Sequence, residues 1–425
     1  MTRLPLGRAH LLASNIRREI RRAGIAFDEL VAVGGIRRFA PDVGDVSLLG
    51  IAPEARRAGL LHAVSRIPGV RGIAASTPHS VTLSAERGVV TIHARPAEHA
   101  GAALVWHTGS RKHLDQLSQA AAGVGLTFDG AQLLRGRTPI TTPTESDLYS
   151  ALGLAFIPPE LRQGEDEIAA ARAGAIPELL ADLHIRGDLH MHSTWSDGRD
   201  RIEDMVSTAR HLGYEYVAIT DHSERAMSSR SLAAQDVARQ REEIAGLRSR
   251  LQGIQVLHGI EVDIMPDGTL DFDDSLLEGF DLVLASLHDR AGHDEETLTA
   301  RYLSAIRHPL VNVITHPANR SPGVSAGYAV DFDRIFAAAA ESGTAVEVDG
   351  APGHLDMDGT LARRAVAAGA TLTVDSDAHR AEFLARQMRF GVGTARRGWV
   401  EPKHVLNTRS LDEVRAFVAR KRARA

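Results

Sequence analysis

The chain has 425 residues, 44% of them hydrophobic and 24% charged, and its formal net charge is −5 at pH 7. This length predicts two or three domains, and the negative charge argues against indiscriminate binding of nucleic acid by the whole molecule. The sequence has no cysteine, no apolar run that could span a bilayer and no signal-peptide pattern, so we expect a cytoplasmic protein without disulfides or thiolate metal sites.

The first half of the chain predicts a mixture of helices and strands. A helical pattern covers residues 7–23, and strand candidates follow at residues 30–33, 45–49 and 89–94. Thr108, Gly109 and Ser110 can then cap a helix that begins with Arg111 and Lys112. The N-terminus of such a helix can bind a phosphate group.

After Arg186 the pattern changes to short β-rich runs that alternate with helix-length amphipathic stretches. The seven strand candidates cover residues 185–192, 216–222, 255–263, 281–288, 310–316, 344–349 and 370–377. Such alternation predicts repeated β-α units and a parallel sheet or barrel.

Metal-ligating side chains stand at or just after the end of nearly every one of these strand candidates. They are His190, His192, Asp197, His222, Glu261, His288, His316, Asp377 and His379. The carboxyl ends of the strands in a β/α barrel form the rim where catalytic groups converge. Any single histidine could instead satisfy a hydrogen bond in the core. For the whole set, however, the same coincidence would have to occur at six strand ends. The sequence therefore predicts a metal centre.

Nine ligands exceed the needs of one ion, because a catalytic zinc uses three protein ligands and keeps one position for water. We therefore predict three divalent ions, and Mn, Zn and Fe are all compatible with imidazole and carboxylate donors. Closely spaced ions activate water and hold the attacking and leaving oxygens of a phosphate, which predicts phosphate-ester hydrolysis. No Gly-x-Ser-x-Gly or Walker motif offers a competing chemistry.

These residues, in this order, resemble the PHP (polymerase and histidinol phosphatase) domain. The resemblance implies a distorted (β/α)7 barrel whose ligands form three groups. The first group would be His190, His192, Glu261 and Asp377; the second Glu261, His288 and His316; the third Asp197, His222 and His379.

Further motifs resemble the bacterial family X DNA polymerases that carry a C-terminal PHP domain. Gly34-Gly35-Ile36-Arg37-Arg38 is similar to their Gly-Ser-x-Arg-Arg segment, and Trp106-His107-Thr108-Gly109-Ser110 to the Tyr-Phe-Thr-Gly-Ser segment that flanks the nucleotide. The resemblance covers almost the whole chain. It implies an α/β protein with a nucleotidyltransferase-like palm (residues 1–105) and thumb (106–165), a linker (166–183) and a PHP domain (184–425).

Departures from this family concern the polymerase site above all. Its three palm carboxylates, which hold two Mg ions, correspond to Asp45, Ser47 and Thr91 here, and a hydroxyl is a poorer Mg ligand than a carboxylate. The chain also begins at the palm, without the family's helix-hairpin-helix domains. We therefore expect a degenerate palm without polymerase activity. In the PHP half, Glu347-Val348-Asp349 replaces Glu-Ile-Asn and His354 replaces an arginine, and both changes leave the nine ligands intact.

Basic and polar residues of the first half are candidates for DNA or phosphate binding. They are Arg37, Arg38, Gly109, Ser110, Arg111 and Lys112. The alternative is a solvated, salt-bridged face, and with 3 Trp and 5 Tyr the chain has few aromatic groups for base stacking. The basic run from Arg420 to Arg424 predicts a frayed tail.

The leading hypothesis is a metal-dependent phosphoesterase, a hydrolase, that acts on DNA 3′ ends as a 3′→5′ exonuclease or 3′-phosphatase. Catalytic roles fall to Glu261, Asp377, His222 and His379. One alternative is a small-molecule phosphomonoesterase of the histidinol-phosphatase kind, which retention on a DNA column would disfavour. The other is a non-catalytic DNA-end binding module, against which the complete ligand set argues.

Overall fold

A computed structural model describes residues 3–226 and 228–423 of the chain. They form two compact units, of which the first ends at Pro177 and the second begins at Glu178. The boundary between the units lies inside the predicted linker, residues 166–183, and the predicted domain limits stay predictions. Within the described ranges, no helix combines the length and the apolar run that crossing a bilayer requires.

The first unit contains an α/β domain followed by a mostly helical segment. Its strands are β1 (Leu4–Pro5), β2 (Glu29–Val33), β3 (Asp42–Val43), β4 (Val46–Ile51), β5 (Val70–Thr77), β6 (Ser80–Ala85), β7 (Gly88–Arg95), β8 (Thr127–Asp129), β9 (Gln132–Arg135) and β10 (Thr138–Ile140). Its helices are α1 (Leu6–Arg22), α2 (Gly34–Arg37), α3 (Glu54–Val64), α4 (Ala100–Thr108), α5 (Arg111–Gly123), α6 (Glu145–Ala151) and α7 (Glu167–Arg172).

The main sheet of the first unit has the strand order β2-β4-β7-β6-β5, with β4 and β7 parallel and the other neighbours antiparallel. Every residue of β4 is buried, because helices cover both of its faces. Leu48 packs in one apolar cluster with Ile16 of α1, and Leu49 packs in another with Ala103 of α4. The burial of this central strand explains its unbroken apolar run.

The second unit is a seven-stranded parallel barrel with helices between the strands. Its strands are β11 (Gly187–Asp188), β12 (Tyr216–Ile219), β13 (Gln255–Asp263), β14 (Leu282–Ser286), β15 (Val313–Ile314), β16 (Ala345–Asp349) and β17 (Leu372–Asp375). Its helices are α8 (Ile202–His211), α9 (Val237–Arg250), α10 (Asp274–Leu277), α11 (Glu295–Arg307), α12 (Phe332–Ser342), α13 (Gly359–Ala367), α14 (Leu384–Arg397) and α15 (Leu411–Arg422).

The barrel strands pair in sequence order from β11 to β17, all parallel. A parallel bridge between Met191 and Ala378 joins the segments that follow the first and last strands, so the ends of the sheet approach one another. The predicted fold class, a palm and thumb followed by a distorted (β/α)7 PHP barrel, is confirmed. The seven parallel strands bring all their carboxyl ends to one rim.

The prediction of a frayed C-terminal tail is wrong as far as Arg422. The last helix, α15, extends to that residue, and its Phe417 and Val418 pack in an apolar cluster with barrel residues such as Leu257. Buried Lys421 donates through Nζ to the Ile306 carbonyl at 2.6 Å, which gives its ammonium group a partner within the unit.

Candidate metal centre

All nine predicted ligands lie together at the carboxyl rim of the barrel. His190, His192 and Asp197 follow β11, His222 follows β12, Glu261 is on β13, His288 follows β14, His316 follows β15, and Asp377 and His379 follow β17. His190, His192 and Glu261 are fully buried, whereas the side chain of His379 is 34% exposed and forms part of the open side. Parallel strand order therefore gathers residues that are far apart in sequence.

The first predicted group has the spacing of donors around a single ion. The Nε2 atoms of His190 and His192 are 3.1 Å apart, and His192 Nε2 lies 3.1 Å from Asp377 Oδ1. Glu261 Oε2 lies 3.4 Å from His190 Nε2 and 3.7 Å from His192 Nε2. Donors arranged tetrahedrally around an ion at ~2.0–2.1 Å would be roughly 3.3–3.4 Å apart, close to these separations.

The second and third predicted groups adjoin the first. Glu261 Oε1 lies 2.8 Å from His316 Nε2 and 3.8 Å from His288 Nε2. In the third group, Asp197 Oδ1 lies 3.2 Å from His379 Nε2 and 3.6 Å from His222 Nε2. Because the two oxygens of Glu261 face different groups, this carboxylate lies between them.

Unsatisfied buried atoms in this cluster test whether its residues fit metal ions. Asp197 Oδ1, Glu261 Oε2 and His222 Nδ1 are buried without a hydrogen-bond partner, although the last two are only 2.7 Å apart. Buried polar atoms normally have partners, and a cation would supply one for the two carboxylate oxygens. The imidazole and carboxylate donors therefore fit divalent ions of the Zn, Mn or Fe type.

Two residues at the site adopt left-handed backbone conformations. The φ angle is +26° at His316 and +48° at Asp377, each just beyond the end of its strand. Such conformations cost about 1–3 kcal/mol for residues other than glycine and cluster at functional sites. Both side chains lie among the other predicted ligands, with His316 Nε2 2.8 Å from Glu261 Oε1 and Asp377 Oδ1 3.1 Å from His192 Nε2.

Three carboxylates outside the nine predicted ligands hold those ligands in place. Glu347 Oε1 lies 2.7 Å from His190 Nδ1, and Asp263 Oδ1 lies 3.1 Å from His288 Nδ1. In both histidines Nε2 therefore faces the cluster. Asp221 accepts hydrogen bonds from Ser193 and Ser196, which fixes the loop that carries Asp197. Their positions near the carboxyl ends of predicted strands were the sequence signal that could have placed Glu347 and Asp263 at the site.

The site has strongly shifted pKa values because carboxylates and imidazoles are buried together. Burial alone would raise the pKa of Glu261, but the charges of His222 and His190 outweigh it and hold that pKa well below its usual range. Burial would lower the pKa of His316, yet Glu261 raises it to about 9. Burial together with the charges of neighbouring imidazoles lowers the pKa of His192 to about 3. The neighbouring imidazoles thus favour the anionic form of Glu261.

Some of the residues predicted to bind phosphate in the first unit already form hydrogen bonds within that unit. Arg37 donates from Nη1 and Nη2 to the two carboxylate oxygens of Glu145, both at 2.7 Å, and Arg38 donates to the Thr108 carbonyl. Gly109 follows α4 and Ser110 caps α5, its Oγ accepting from the His113 N–H. Arg111 and Lys112 are exposed in the first turn of α5. Phosphate binding stays a prediction for all six residues.

The three positions of the degenerate polymerase site meet on neighbouring strands. Ser47 of β4 pairs in register with Thr91 of β7. The Ser47 hydroxyl donates to Asp45 Oδ2 at 2.5 Å, and the Thr91 hydroxyl lies 3.1 Å from that of Thr82. Asp45 is therefore the single carboxylate among the three positions.

Comparison with known proteins places both units. A family model for the PHP domain matches residues 188–317, and one for the DNA polymerase beta thumb matches residues 103–163. The chain is 35% identical to the DNA polymerase/3′-5′ exonuclease PolX of Bacillus subtilis (strain 168), over 98% of this chain and 73% of that protein. Two probable phosphatases match less than half of this chain. One of Thermoanaerobacter sp. (strain X514) is 29% identical over 45% of this chain and 78% of its own length. One of Shewanella oneidensis is 31% identical over 46% of this chain and 77% of its own length.

Barrel, donor set and family matches together define a metal-dependent phosphoesterase with a PHP domain, and hence a hydrolase. The chain belongs to the bacterial family X DNA polymerases that carry a C-terminal PHP domain.

Proposed function

We propose that the protein hydrolyses phosphate esters at DNA 3′ ends, as a 3′→5′ exonuclease or a 3′-phosphatase. The observation that carries this proposal is the convergence of nine imidazole and carboxylate side chains at the PHP rim of a chain whose other half is polymerase-like. The PolX relative is named as a 3′-5′ exonuclease, which supports DNA as the substrate.

The proposed centre holds three divalent ions in the groups already described, with Mn, Zn and Fe as candidate metals. When bound, such ions supply Lewis-acid activation of water and neutralise charge on the phosphate oxygens. Glu261 and Asp377 contribute fixed negative charge to the first group, and Glu261 also contributes to the second. His222 and His379 lie on the more open side with Asp197, where they orient the leaving group.

We also propose that the palm no longer supports nucleotide addition. Two Mg ions in a palm need several carboxylates, and Ser47 and Thr91 offer neutral hydroxyls at two of the three positions. The Ser47 hydroxyl also occupies one oxygen of Asp45, which reduces its capacity as a ligand.

A small phosphate monoester is the second candidate substrate. Probable phosphatases match less than half of this chain but more than three quarters of their own length, which supports a phosphatase reaction for part of the chain. Loops beyond the strand ends determine which leaving group such a site accepts. Comparing the rates of hydrolysis of DNA and of a small phosphate monoester therefore decides between the two candidate substrates.

The test is hydrolysis of a 5′-labelled DNA oligonucleotide by the Mn-loaded protein, with a 3′-hydroxyl or a 3′-phosphate end. Histidinol phosphate serves as the small substrate and Asp377→Ala as the matched inactive variant. We expect metal-dependent shortening or 3′-dephosphorylation that the variant lacks. Phosphate release from histidinol phosphate without any action on DNA would move the function to small molecules. DNA extension with added nucleotides would contradict the loss of polymerase activity.

A further inference from the structure

Three arginines lie on the loops that carry the third predicted ligand group, and the chemistry described so far does not use them. Arg199 follows Asp197 by two residues, and Arg380 immediately follows His379. The two loops are bonded together, because the Arg199 N–H donates to the His379 carbonyl at 2.8 Å. The two arginines therefore lie on adjacent loops at this side of the rim.

Arg230 joins this pair from the segment that follows β12. Its Nε donates to the Ser196 carbonyl at 2.5 Å, which places its guanidinium against the residue before Asp197. All three arginines are exposed. We call Arg199, Arg230 and Arg380 the rim arginines.

Outside the ligand group, the rim arginines outnumber the two acidic residues that neighbour them on these loops, Asp200 and Glu382. Asp200 accepts from the Ala381 N–H at 2.8 Å, so it serves to join the two loops. Glu382 lies 3.4 Å from Arg380, but the two side chains are 65% and 48% exposed. An exposed ion pair of this kind contributes little to stability, so a phosphate can replace the glutamate as the partner of Arg380.

An extended polyanion matches this arrangement better than a single phosphate does. The phosphate that reacts would bind at the buried predicted ligands. The rim arginines are exposed and lie outside that centre, on the loops that carry Asp197, His222 and His379. A nucleic acid strand carries further phosphates next to the one that reacts, and arginine binds phosphate through paired N–H groups.

We propose that the rim arginines bind the backbone phosphates of the DNA strand whose 3′ end enters the PHP site. The inference rests on the proposed function and assigns part of substrate binding to the barrel itself. Affinity should then depend on salt, because each phosphate that the protein neutralises releases counterions.

The test compares Arg199→Gln/Arg380→Gln with Arg415→Gln/Arg420→Gln in the full-length protein. The control removes the same charge from exposed positions on α15. Arg415 lines a cavity with Asp281, and Asp281 immediately precedes β14. The control positions therefore lie near the amino ends of the strands, away from the metal-ligand rim. Binding of a fluorescent single-stranded oligonucleotide, with phosphorothioate linkages at its 3′ end to slow hydrolysis, is followed by anisotropy at several salt concentrations. Cleavage of normal DNA and of bis(p-nitrophenyl) phosphate is measured alongside.

We expect the rim variant to bind DNA about tenfold more weakly, with a salt slope shallower by about 1.4, or ~0.7 for each lost phosphate contact. The ratio of kcat/KM on DNA to that on the small diester should fall by a similar factor, and the α15 variant should match wild type. Equal binding and salt slopes in the two variants would overturn the proposal. So would an equal loss on both substrates, since the arginines would then act on the ligand group. DNA binding without cleavage by wild type would instead contradict the proposed function.

Discussion

Glu347 bonds to two of the predicted ligands at once. One of its oxygens lies 2.7 Å from His190 Nδ1, and the other accepts from the His316 N–H at 2.8 Å. The sequence shows a carboxylate at this strand end, but it does not reveal whether that carboxylate faces an ion or a histidine. The distinction depends on side-chain geometry across neighbouring strands, which residue spacing does not encode.

Replacing Glu347 with glutamine should weaken metal binding about 10–100-fold. A glutamine side chain has a single acceptor oxygen, so either His190 or the His316 N–H loses its partner. Competition with a chromophoric chelator measures the affinity. Glu296→Gln on α11, an exposed residue paired with Arg334, is the matched control. Unchanged affinity in Glu347→Gln would show that His190 is oriented by other contacts.

His93 and His107 should make the first unit sensitive to acid. Their rings stack at a centroid distance of 3.9 Å, and burial lowers the pKa of His93 to about 4 and that of His107 to about 2. Both pKa values are depressed below the usual 6.5, so the folded state favours the neutral rings. The unfolded state therefore binds more protons below pH 6.5, and stability falls as the pH drops below that value, toward 4 for His93 and toward 2 for His107.

Between pH 7.5 and pH 5, the free energy of unfolding of this unit should fall by about 2–4 kcal/mol from these two residues. Urea unfolding followed by the fluorescence of Trp106, in a Trp195→Phe/Trp399→Phe background, measures the change. The added substitution His107→Phe should remove about half of it. An equal pH dependence with and without that substitution would contradict the assignment.

The sequence predicted all seven barrel strands, but in the first unit it predicted β2, β4 and β7 and missed the other strands. Residues 7–23 predicted α1 within one residue, and the apolar run of β4 was evident because both faces of that strand are buried. The edge strand β5 was missed, since its residues are largely exposed and carry no alternation. Basic residues at the C-terminus suggested a free tail, because composition does not show that Lys421 finds a buried carbonyl.

The packing of α14 against the end of β16 predicts a specific sensitivity at Gly350. A Cβ atom there would collide with the backbone carbonyl of Gln387 in α14, which cannot move aside as a flexible side chain can. Gly350→Ala should therefore lower the free energy of unfolding by about 1–3 kcal/mol. Gly353→Ala is the control, because nothing lies within 4 Å of the added atom. Chemical unfolding measures both, and equal stabilities would show that α14 shifts freely.

Each unit has its own apolar core, and the predicted ligands belong to the second unit alone. The polymerase-like positions belong to the first unit. The sequence motifs could predict this division, because the polymerase-like motifs lie in the first half of the chain and the metal-ligand motifs lie in the second. The three-ion arrangement stays a prediction, because donor spacing alone does not count the ions.

Removing metal should affect the stability of the units unequally. Ligands that bind only the folded state stabilise the unit that contains their site. Calorimetry of the metal-loaded protein should show two unfolding transitions, and a chelator should lower the midpoint of one by several degrees. The other midpoint should stay within about one degree. A common shift of both transitions would contradict the assignment of metal binding to the second unit.

The pairing of the first and last barrel segments has a consequence for synthesis of the chain. The His192 N–H donates to the Ala378 carbonyl, and the Asp377 N–H donates to the His190 carbonyl, both at 3.0 Å. On the ribosome, His190 emerges well before Asp377, and contacts so distant in sequence form slowly. The nascent barrel therefore stays open until its seventh strand is made. A prematurely terminated product would expose histidines and apolar strands together, which makes it a target for chaperones and proteases.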